Sequence, residues 1–147
     1  MATVNPYITY KGNCEAAFNL YKSVFGGEFS MLSRFSEMPP QEGMGMAEED
    51  LDKIMHVELP ISEETTLMGS DTGGEWAPKT IIGNNITISI TAGSKEQADH
   101  FFNSLSEGGE VNMPMEKTFW GSYFGMCTDK FDIHWMISFG ENPEGSN

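Results

Sequence analysis

The chain has 147 residues, with 22 acidic and 8 basic side chains and a formal net charge of −14. A chain of this length suits one compact domain, and so acidic a surface repels phosphate backbones and anionic lipid heads, so we expect no nucleic-acid or membrane partner. No segment approaches the roughly 20 apolar residues of a membrane span, and the N-terminus lacks a signal-peptide pattern, so we expect a cytoplasmic protein.

The first predicted elements are a strand and a helix in the segment NPYITYKGNCEAAFNLYKSVFGG, residues 5–27. The strand alternates in polarity, the helix begins after Asn13 with apolar residues at helical spacing, and Gly26 and Gly27 end it. Three strand-like runs follow, at 28–36, 54–61 and 65–71. The acidic segment 37–53 contains prolines and glycines, so we predict a loop there, either a mobile cover over a ligand or a solvated insertion.

The same order of elements recurs half a chain later in NITISITAGSKEQADHFFNSLSEGG. Ser94 and Gln97 form a capping-box pair at the start of the second helix, and strand-like runs follow at 110–113, 119–127 and 133–139. One helix covers only one face of a four-stranded sheet, so the other face must meet a partner or border a cavity. We therefore predict an α+β fold in a single domain, 1–147. Its two βαβββ units, 1–75 and 80–140, form paired half-barrel antiparallel sheets that enclose a cavity, and residues 141–147 form a flexible tail.

Strand alternation predicts which side chains face that cavity. His56 and Glu58 lie two residues apart and share the inward face. The other predicted cavity residues are Met68, Ser70, Thr87, Ser89, Trp120, Phe124, His134 and Met136. Aromatic and methionine side chains with few polar groups suit a small, partly apolar ligand, although core packing is the commoner use of such residues. The residues predicted under the helices include Met55, Val57, Leu59, Ile86, Ile88, Ile90, Trp135 and Ile137.

His56 and Glu58 have the residue types of an acid–base pair. A carboxylate beside an imidazole favours the charged imidazolium and orients the ring for proton transfer. The alternative is that Glu58 pairs across the sheet and His56 is a satisfied residue of the barrel. His134, on the same inward face, adds a third possibility, a displaced zinc or nickel site made of His56, Glu58 and His134.

The two cysteines, Cys14 and Cys127, lie far apart in the sequence without CxxC spacing. This pattern favours reduced thiols over a disulfide or a zinc site. Cys14 follows a helix cap, where the helix dipole lowers a thiol pKa, so it is a candidate reactive thiol. His100 falls on the polar side of the second helix and is expected to be exposed.

Four segments together resemble the PhnB-like branch of the vicinal oxygen chelate superfamily: NPYITYKGNCEAAFNLYKSVFGG, HVELPI, LMGSD and FWGSYFGMCTDKFDIHWMI. The resemblance covers nearly the whole chain. That superfamily includes glyoxalase I, fosfomycin and bleomycin resistance proteins and extradiol dioxygenases. Members of the branch are often labelled 3-demethylubiquinone 3-methyltransferases, but no strand here leads through a glycine-rich turn into a helix of the kind that holds a nucleotide-like cofactor, which argues against methyl transfer.

The resemblance implies a divalent metal held by His, Gln or Glu on the first and last strands of each unit. The matching positions here fall near Pro6 and Thr87, with Asn85 close by, and at Met68 and Met136. None of these residues is a strong ligand for Mg, Mn, Ni or Zn. We therefore predict no metal at the family positions and no cofactor.

Three functions stay open. The first is a glyoxalase-like lyase or related enzyme acting on a small oxygenated or thiol-conjugated metabolite, with His56 and Glu58 as acid–base groups. The second is a metal-free protein that sequesters a small ligand, as bleomycin resistance proteins do, and the third is a structural or regulatory dimer. In each case the open sheet edges favour a homodimer.

Overall fold

The computed structural model describes residues 2–37, 48–72 and 79–140. Most of the predicted acidic loop and the predicted tail lie outside these ranges. The chain divides into two compact units, Met1–Ile81 and Ile82–Asn147, and each unit holds one four-stranded sheet. Within the described ranges, no helix is both long and apolar enough to cross a lipid bilayer.

The first unit follows the predicted βαβββ order. Its elements are β1 (Tyr7–Tyr10), α1 (Cys14–Phe25), β2 (Met31–Arg34), β3 (Ile54–Pro60) and β4 (Thr66–Asp71). The strands lie in the order β1-β4-β3-β2, with β1 parallel to β4 and the other pairs antiparallel. The sheet that was predicted as antiparallel is therefore mixed. A helical crossover brings the chain back to its starting end, so the first strand can join the last one in parallel.

The second unit repeats this topology. Its elements are β5 (Ile88–Thr91), α2 (Lys95–Ser106), β6 (Glu110–Lys117), β7 (Tyr123–Thr128) and β8 (His134–Phe139). The order is β5-β8-β7-β6, again with the first strand parallel to the last. Each sheet is open, and the fold is α+β as predicted.

The structure corrects three placements of residues that were predicted on strands. Residues 119–122 form a hairpin turn rather than a strand, because Thr118 N donates to Ser122 O at 2.8 Å and closes the loop between β6 and β7. Ile86 precedes β5 and is 77% exposed instead of packing under the helix. In β3 the register shifts between Ser33 and Arg34 of the facing strand, which leaves Met55 half-buried and places Ile54 in the core.

The two helices begin in different ways. The side chain of Asn13 caps nothing; instead the buried carboxylate of Asp71 accepts hydrogen bonds from the backbone N–H groups of Gly12 and Cys14, both at 2.9 Å, and of Ile54 at 3.0 Å. At α2 the predicted capping-box residues do cap the helix. Gln97 N donates to Ser94 Oγ at 3.0 Å, and the Gln97 side chain accepts from the backbone N–H of Gly93 at 2.7 Å.

Each helix packs on one face of its own sheet through aromatic and aliphatic side chains. The buried helix residues are Ala17, Phe18, Tyr21 and Val24 in α1, and Ala98, Phe101, Phe102 and Leu105 in α2. Beneath α1 lie Val57, Leu59 and Leu67, and beneath α2 lie Trp135 and Ile137. Burying this many large apolar groups supplies the main favourable free energy of each unit.

Candidate functional site

The face of each sheet that carries no helix holds most of the predicted site residues. We call it the helix-free face. Along β4 the buried residues Leu67, Gly69 and Asp71 alternate with half-exposed ones, so Met68 and Ser70 lie on the helix-free face of the first unit. The register places Glu58 directly opposite Met68, which puts β3 and β4 side chains next to each other on that face.

On this face, His56 is held between two polar side chains. Its Nε2 lies 2.8 Å from Glu58 Oε2 and its Nδ1 lies 3.1 Å from the hydroxyl of Tyr7. The rings of Tyr7 and His56 are stacked, with centroids 5.5 Å apart. Ser30 Oγ donates to the second carboxylate oxygen of Glu58 at 3.2 Å. We call the first three residues the Tyr–His–Glu chain; it spans β1 and β3, with β4 between them.

The contacts of the Tyr–His–Glu chain give the two ring nitrogens different roles. A carboxylate is an acceptor only, so Nε2 of His56 carries the hydrogen that it donates to Glu58. In a neutral imidazole, Nδ1 is then free to accept the hydroxyl hydrogen of Tyr7. The hydrogen bond from His56 lowers the pKa of Glu58, and the one from Ser30 lowers it further. The side chains of His56 and Glu58 remain 22% and 33% exposed, so a ligand can reach them.

Tyr7 was missed in the sequence analysis. The sequence signal was strand alternation, which places Tyr7 and Tyr10 on opposite faces of the sheet. In the structure Tyr7 is 49% exposed and Tyr10 is 2% exposed. Recognising it also requires the strand order, because Tyr7 reaches the helix-free face beside Met68 only when β1 pairs with β4. The predicted contact between His56 and Glu58 is present, and Tyr7 adds a third member to it.

The second unit has apolar side chains at the positions that match His56 and Glu58. Met126 pairs with Met136 at the rung where the first unit has Glu58 and Met68, and Phe124, two residues earlier on β7, stands at the place of His56. Trp120 lies in the hairpin turn and not on the strand, contrary to prediction, yet its ring contacts that of Phe124 at a centroid distance of 6.0 Å. A polar arrangement like the Tyr–His–Glu chain therefore has no equivalent at these positions.

The remaining predicted residues of the second unit are dispersed. His134 Nδ1 lies 2.9 Å from Thr128 Oγ1, whose hydroxyl donates to Asn112, so the ring nitrogen donates to Thr128. Ser89 is exposed on β5, and Thr87 lies just before that strand.

The residues at the family metal positions do not form a divalent-metal site. The strand register places Tyr7 rather than Pro6 beside Met68, and Ser89 rather than Thr87 beside Met136. Phenol, hydroxyl and thioether groups are poor ligands for such metals. Among residues 2–37, 48–72 and 79–140 no three His, Cys, Asp or Glu side chains cluster as metal ligands. His56 and Glu58 belong to the first unit and His134 to the second, so the displaced set stays a prediction from the sequence.

Both cysteines are buried free thiols. Burial raises the pKa of Cys14, and the nearby carboxylates of Asp71 and Glu15 raise it further. Burial, with the charge of Asp129, raises the pKa of Cys127 to about 12. Both cysteines are thus the reduced thiols that the sequence favoured, and the alternative of a reactive Cys14 is not supported, because the loss of solvation outweighs the helix dipole. His100 is exposed, as predicted.

The profile of a protein family described as 3-demethylubiquinone-9 3-methyltransferase matches residues 2–138. The chain belongs to this family. Protein YjdN of Escherichia coli strain K12 is 28% identical to it over 142 residues, which is 92% of this chain and 93% of YjdN. The crystal structure of protein PA1353 from Pseudomonas aeruginosa is 34% identical, with a TM-score of 0.81, and the match covers 95% of this chain and 98% of that one.

Two further structures extend the likeness in fold. The Bacillus cereus PhnB protein, titled a putative 3-demethylubiquinone-9 3-methyltransferase, is 20% identical with a TM-score of 0.73, over 95% of this chain and all of that one. A glyoxalase/bleomycin resistance protein/dioxygenase family enzyme from Burkholderia phytofirmans PsJN is 12% identical with a TM-score of 0.60, over 92% and 96% of the two chains. The family therefore has the fold of the vicinal oxygen chelate superfamily, as the sequence resemblance implied.

Proposed function

We propose that the protein is a small-molecule enzyme of the glyoxalase-like type that moves a proton on an oxygenated or thiol-conjugated substrate without a metal at the family positions. One observation carries the proposal: both ring nitrogens of His56 are engaged, one by Glu58 and the other by Tyr7. A base that is oriented by a carboxylate and linked to a second hydroxyl is the usual arrangement for general acid–base catalysis. The family's description alone does not assign methyl transfer to this chain.

The chemistry follows from the hydrogen-bond directions. The oxygen of Tyr7 takes a proton from the carbon next to a substrate carbonyl, while the hydroxyl hydrogen of Tyr7 passes to Nδ1 of His56. The substrate becomes an enolate, and the imidazolium of His56 is stabilised by the carboxylate of Glu58. Return of a proton to a neighbouring substrate atom restores Tyr7 and His56. The net result is a proton shift within the substrate, with atoms and charges balanced.

The experiment follows exchange of substrate C–H hydrogens for deuterium by proton NMR in D2O, over a panel of small hydroxy ketones, hydroxy acids and thiohemiacetals. We expect exchange of at least one compound, slowed about 100-fold or more in His56→Gln, the lower end of what a general base contributes. Tyr7→Phe should slow it as well. His100→Gln changes an exposed histidine of α2 and should leave the rate unchanged. No exchange across the panel, or wild-type exchange in His56→Gln, would refute the proposal.

A sequestering function is the second candidate, supported by the aromatic cluster of the hairpin turn. Phe119 is 97% exposed and Trp120 is 44% exposed, and their rings are 5.0 Å apart. Exposed aromatic rings of this kind often serve a ligand or partner. Native mass spectrometry of the purified protein should then show a retained small molecule that Trp120→Ala loses and His56→Gln keeps. Protein that is empty by this measurement would contradict sequestration. The homodimer and the cytoplasmic location stay predictions from the sequence.

A further inference from the structure

A second candidate site lies in the second unit, where the sheet ends beside the start of α2. A cavity of about 350 Å³ there is lined by Lys95, Lys117, Gly121, Tyr123, Phe139 and Gly140. Lys117 pairs with Tyr123, and Tyr123 pairs with Phe139, so these three side chains form one row across three strands. Lys95 comes from the first turn of α2, with its Nζ 4.9 Å from the centre of the Tyr123 ring.

The equivalent place in the first unit is closed. Strands β4 and β8 have the same length and pair with β3 and β7 in the same way, and the helices α1 and α2 each have 12 residues. Phe139 therefore stands where the first unit has Asp71, and Lys95 stands where it has Cys14. Asp71 and Cys14 are buried there, and the backbone N–H of Cys14 donates a hydrogen bond to the carboxylate of Asp71. Among the described residues of the second unit no carboxylate takes the place of Asp71, and Phe139 and Lys95 border the cavity instead.

The charge of this cavity is unusual for the chain. The lining includes two of the 8 basic residues of a protein with a formal charge of −14. Within the described part of the chain neither Lys95 nor Lys117 forms an ion pair, and no acidic residue lines the cavity. Asp99 of α2 contacts this lining, since its Oδ1 accepts a hydrogen bond from the hydroxyl of Tyr123 at 2.5 Å. Between the lysines the surface is formed by the rings of Tyr123 and Phe139 and by two glycines.

We infer that this cavity binds a small organic anion, with a carboxylate between Lys95 and Lys117 and a flat apolar body against Tyr123 and Phe139. Two ammonium groups that line one cavity attract a carboxylate, and the rings of the same lining accept an apolar surface. The site belongs to the second unit, and the Tyr–His–Glu chain belongs to the first. Its occupancy therefore does not depend on the proposed proton transfer.

The test is a titration of nitrogen-15-labelled protein with sodium benzoate, a small flat carboxylate, followed through backbone amide shifts. We expect saturable shifts at Gly121, Tyr123 and Gly140, with a millimolar dissociation constant because so small a ligand makes few contacts. Benzamide has the same shape without the charge and should bind more weakly. Lys95→Gln and Lys117→Gln should each weaken benzoate binding about threefold, as expected for exposed ion pairs. Added salt should weaken it as well.

Lys11→Gln is the matched control, since it removes an exposed lysine from the first unit and should bind benzoate like the wild type. Spectra of all three variants before titration establish that they are folded. The inference is overturned if the three named amides do not shift, if benzamide binds as tightly as benzoate, or if neither Lys95→Gln nor Lys117→Gln weakens binding. A failure of the deuterium-exchange experiment would leave this result untouched, so the two proposals fail separately.

Discussion

The two units share one topology but differ at matching rungs of their sheets. On the helix-free face, His56 and Glu58 of the first unit are matched by Phe124 and Met126 of the second. Where the last strand meets the helix start, a buried carboxylate closes the first unit and a lysine-lined cavity remains in the second. The scaffold therefore tolerates exchange of polar and apolar groups at a rung, provided that the packing under the helix is kept. The two units therefore share a fold but carry different polar and charged side chains at equivalent positions.

Each unit also has one buried aspartate that organises its backbone, at opposite ends of the sheet. Asp71 ends β4 and bonds three backbone N–H groups at the start of α1 and β3. Asp129 lies in the turn between β7 and β8, where it accepts from the backbone of Phe131 and Ile133 and from the indole N–H of Trp135. A buried carboxylate satisfied by several donors is costly to remove, because its partners are left without an acceptor.

The largest predicted effect comes from removing these carboxylates one at a time. Asp71→Ala leaves three backbone donors without their acceptor, which should lower the free energy of unfolding by about 3 kcal/mol, measured by urea denaturation. The modification rates of the two buried thiols show which unit is destabilised, because Cys14 lies in the first unit and Cys127 in the second. Asp71→Ala should speed modification of Cys14 more than that of Cys127, because Cys14 N is one of the groups it releases.

Asp129→Ala is the matched change in the other unit and should favour modification of Cys127. Equal acceleration of both thiols in either variant would show that the units open together, and would contradict a local role for each aspartate. A wild-type midpoint in urea for Asp71→Ala would contradict the assigned hydrogen bonds.

The role of Asp71 also shows which features could not be predicted from the sequence. The pattern of apolar residues predicted both helices, their glycine ends and the repeat, because periodicity and turn chemistry are local properties. Asn13 was expected to begin α1, but the cap comes from Asp71, far along the chain, and only the pairing of β1 with β4 brings it there. Tyr7 was missed for the same reason. Register, bulges and hairpin ends depend on contacts between distant segments, which a single sequence does not display.

The same distinction applies to the predicted site residues: contacts along one strand could be predicted, and contacts between distant segments could not. His56 and Glu58 lie two residues apart on one strand, so alternation alone brought them together. The set with His134 would join residues of both units, and no local pattern encodes such contacts. Trp120 and Phe124 do touch, through a turn rather than the predicted strand.

A smaller effect on stability is expected at one pair of facing strand residues. Each unit has a glycine and an aliphatic residue there, but on opposite strands. Val57 faces Gly69 in the first unit, whereas Gly125 faces Ile137 in the second. A Cβ at Gly69 would lie 2.7 Å from the ring of Phe18 and 2.9 Å from the backbone oxygen of Ile8. Overpacking of this kind costs about 2 kcal/mol, which urea denaturation of Gly69→Ala should show.

Gly125→Ala tests the same rung in the second unit and should cost less, about 1 kcal/mol. Its nearest contact, at 2.6 Å, is the sulfur of Met115, and a methionine side chain can move aside more easily than a backbone oxygen. An equal or greater loss for Gly125→Ala would contradict the expectation that the second unit accommodates the added methyl group more easily.

The smallest predicted effect concerns the charge of Glu58, which has no counterpart at Met126. Its pKa is lowered in the folded protein by hydrogen bonds from His56 and Ser30. A carboxylate with a depressed folded pKa stabilises the protein above its unfolded pKa, and that contribution is lost as the pH falls through the folded value. Carbon-13 NMR of the glutamate carboxyl groups should therefore show Glu58 titrating below its ordinary range. His56→Ala should raise that pKa only part of the way back, because Ser30 still donates, while His100→Ala should not change it. A Glu58 that titrates identically in His56→Ala and the wild type would remove the link on which the Tyr–His–Glu chain depends.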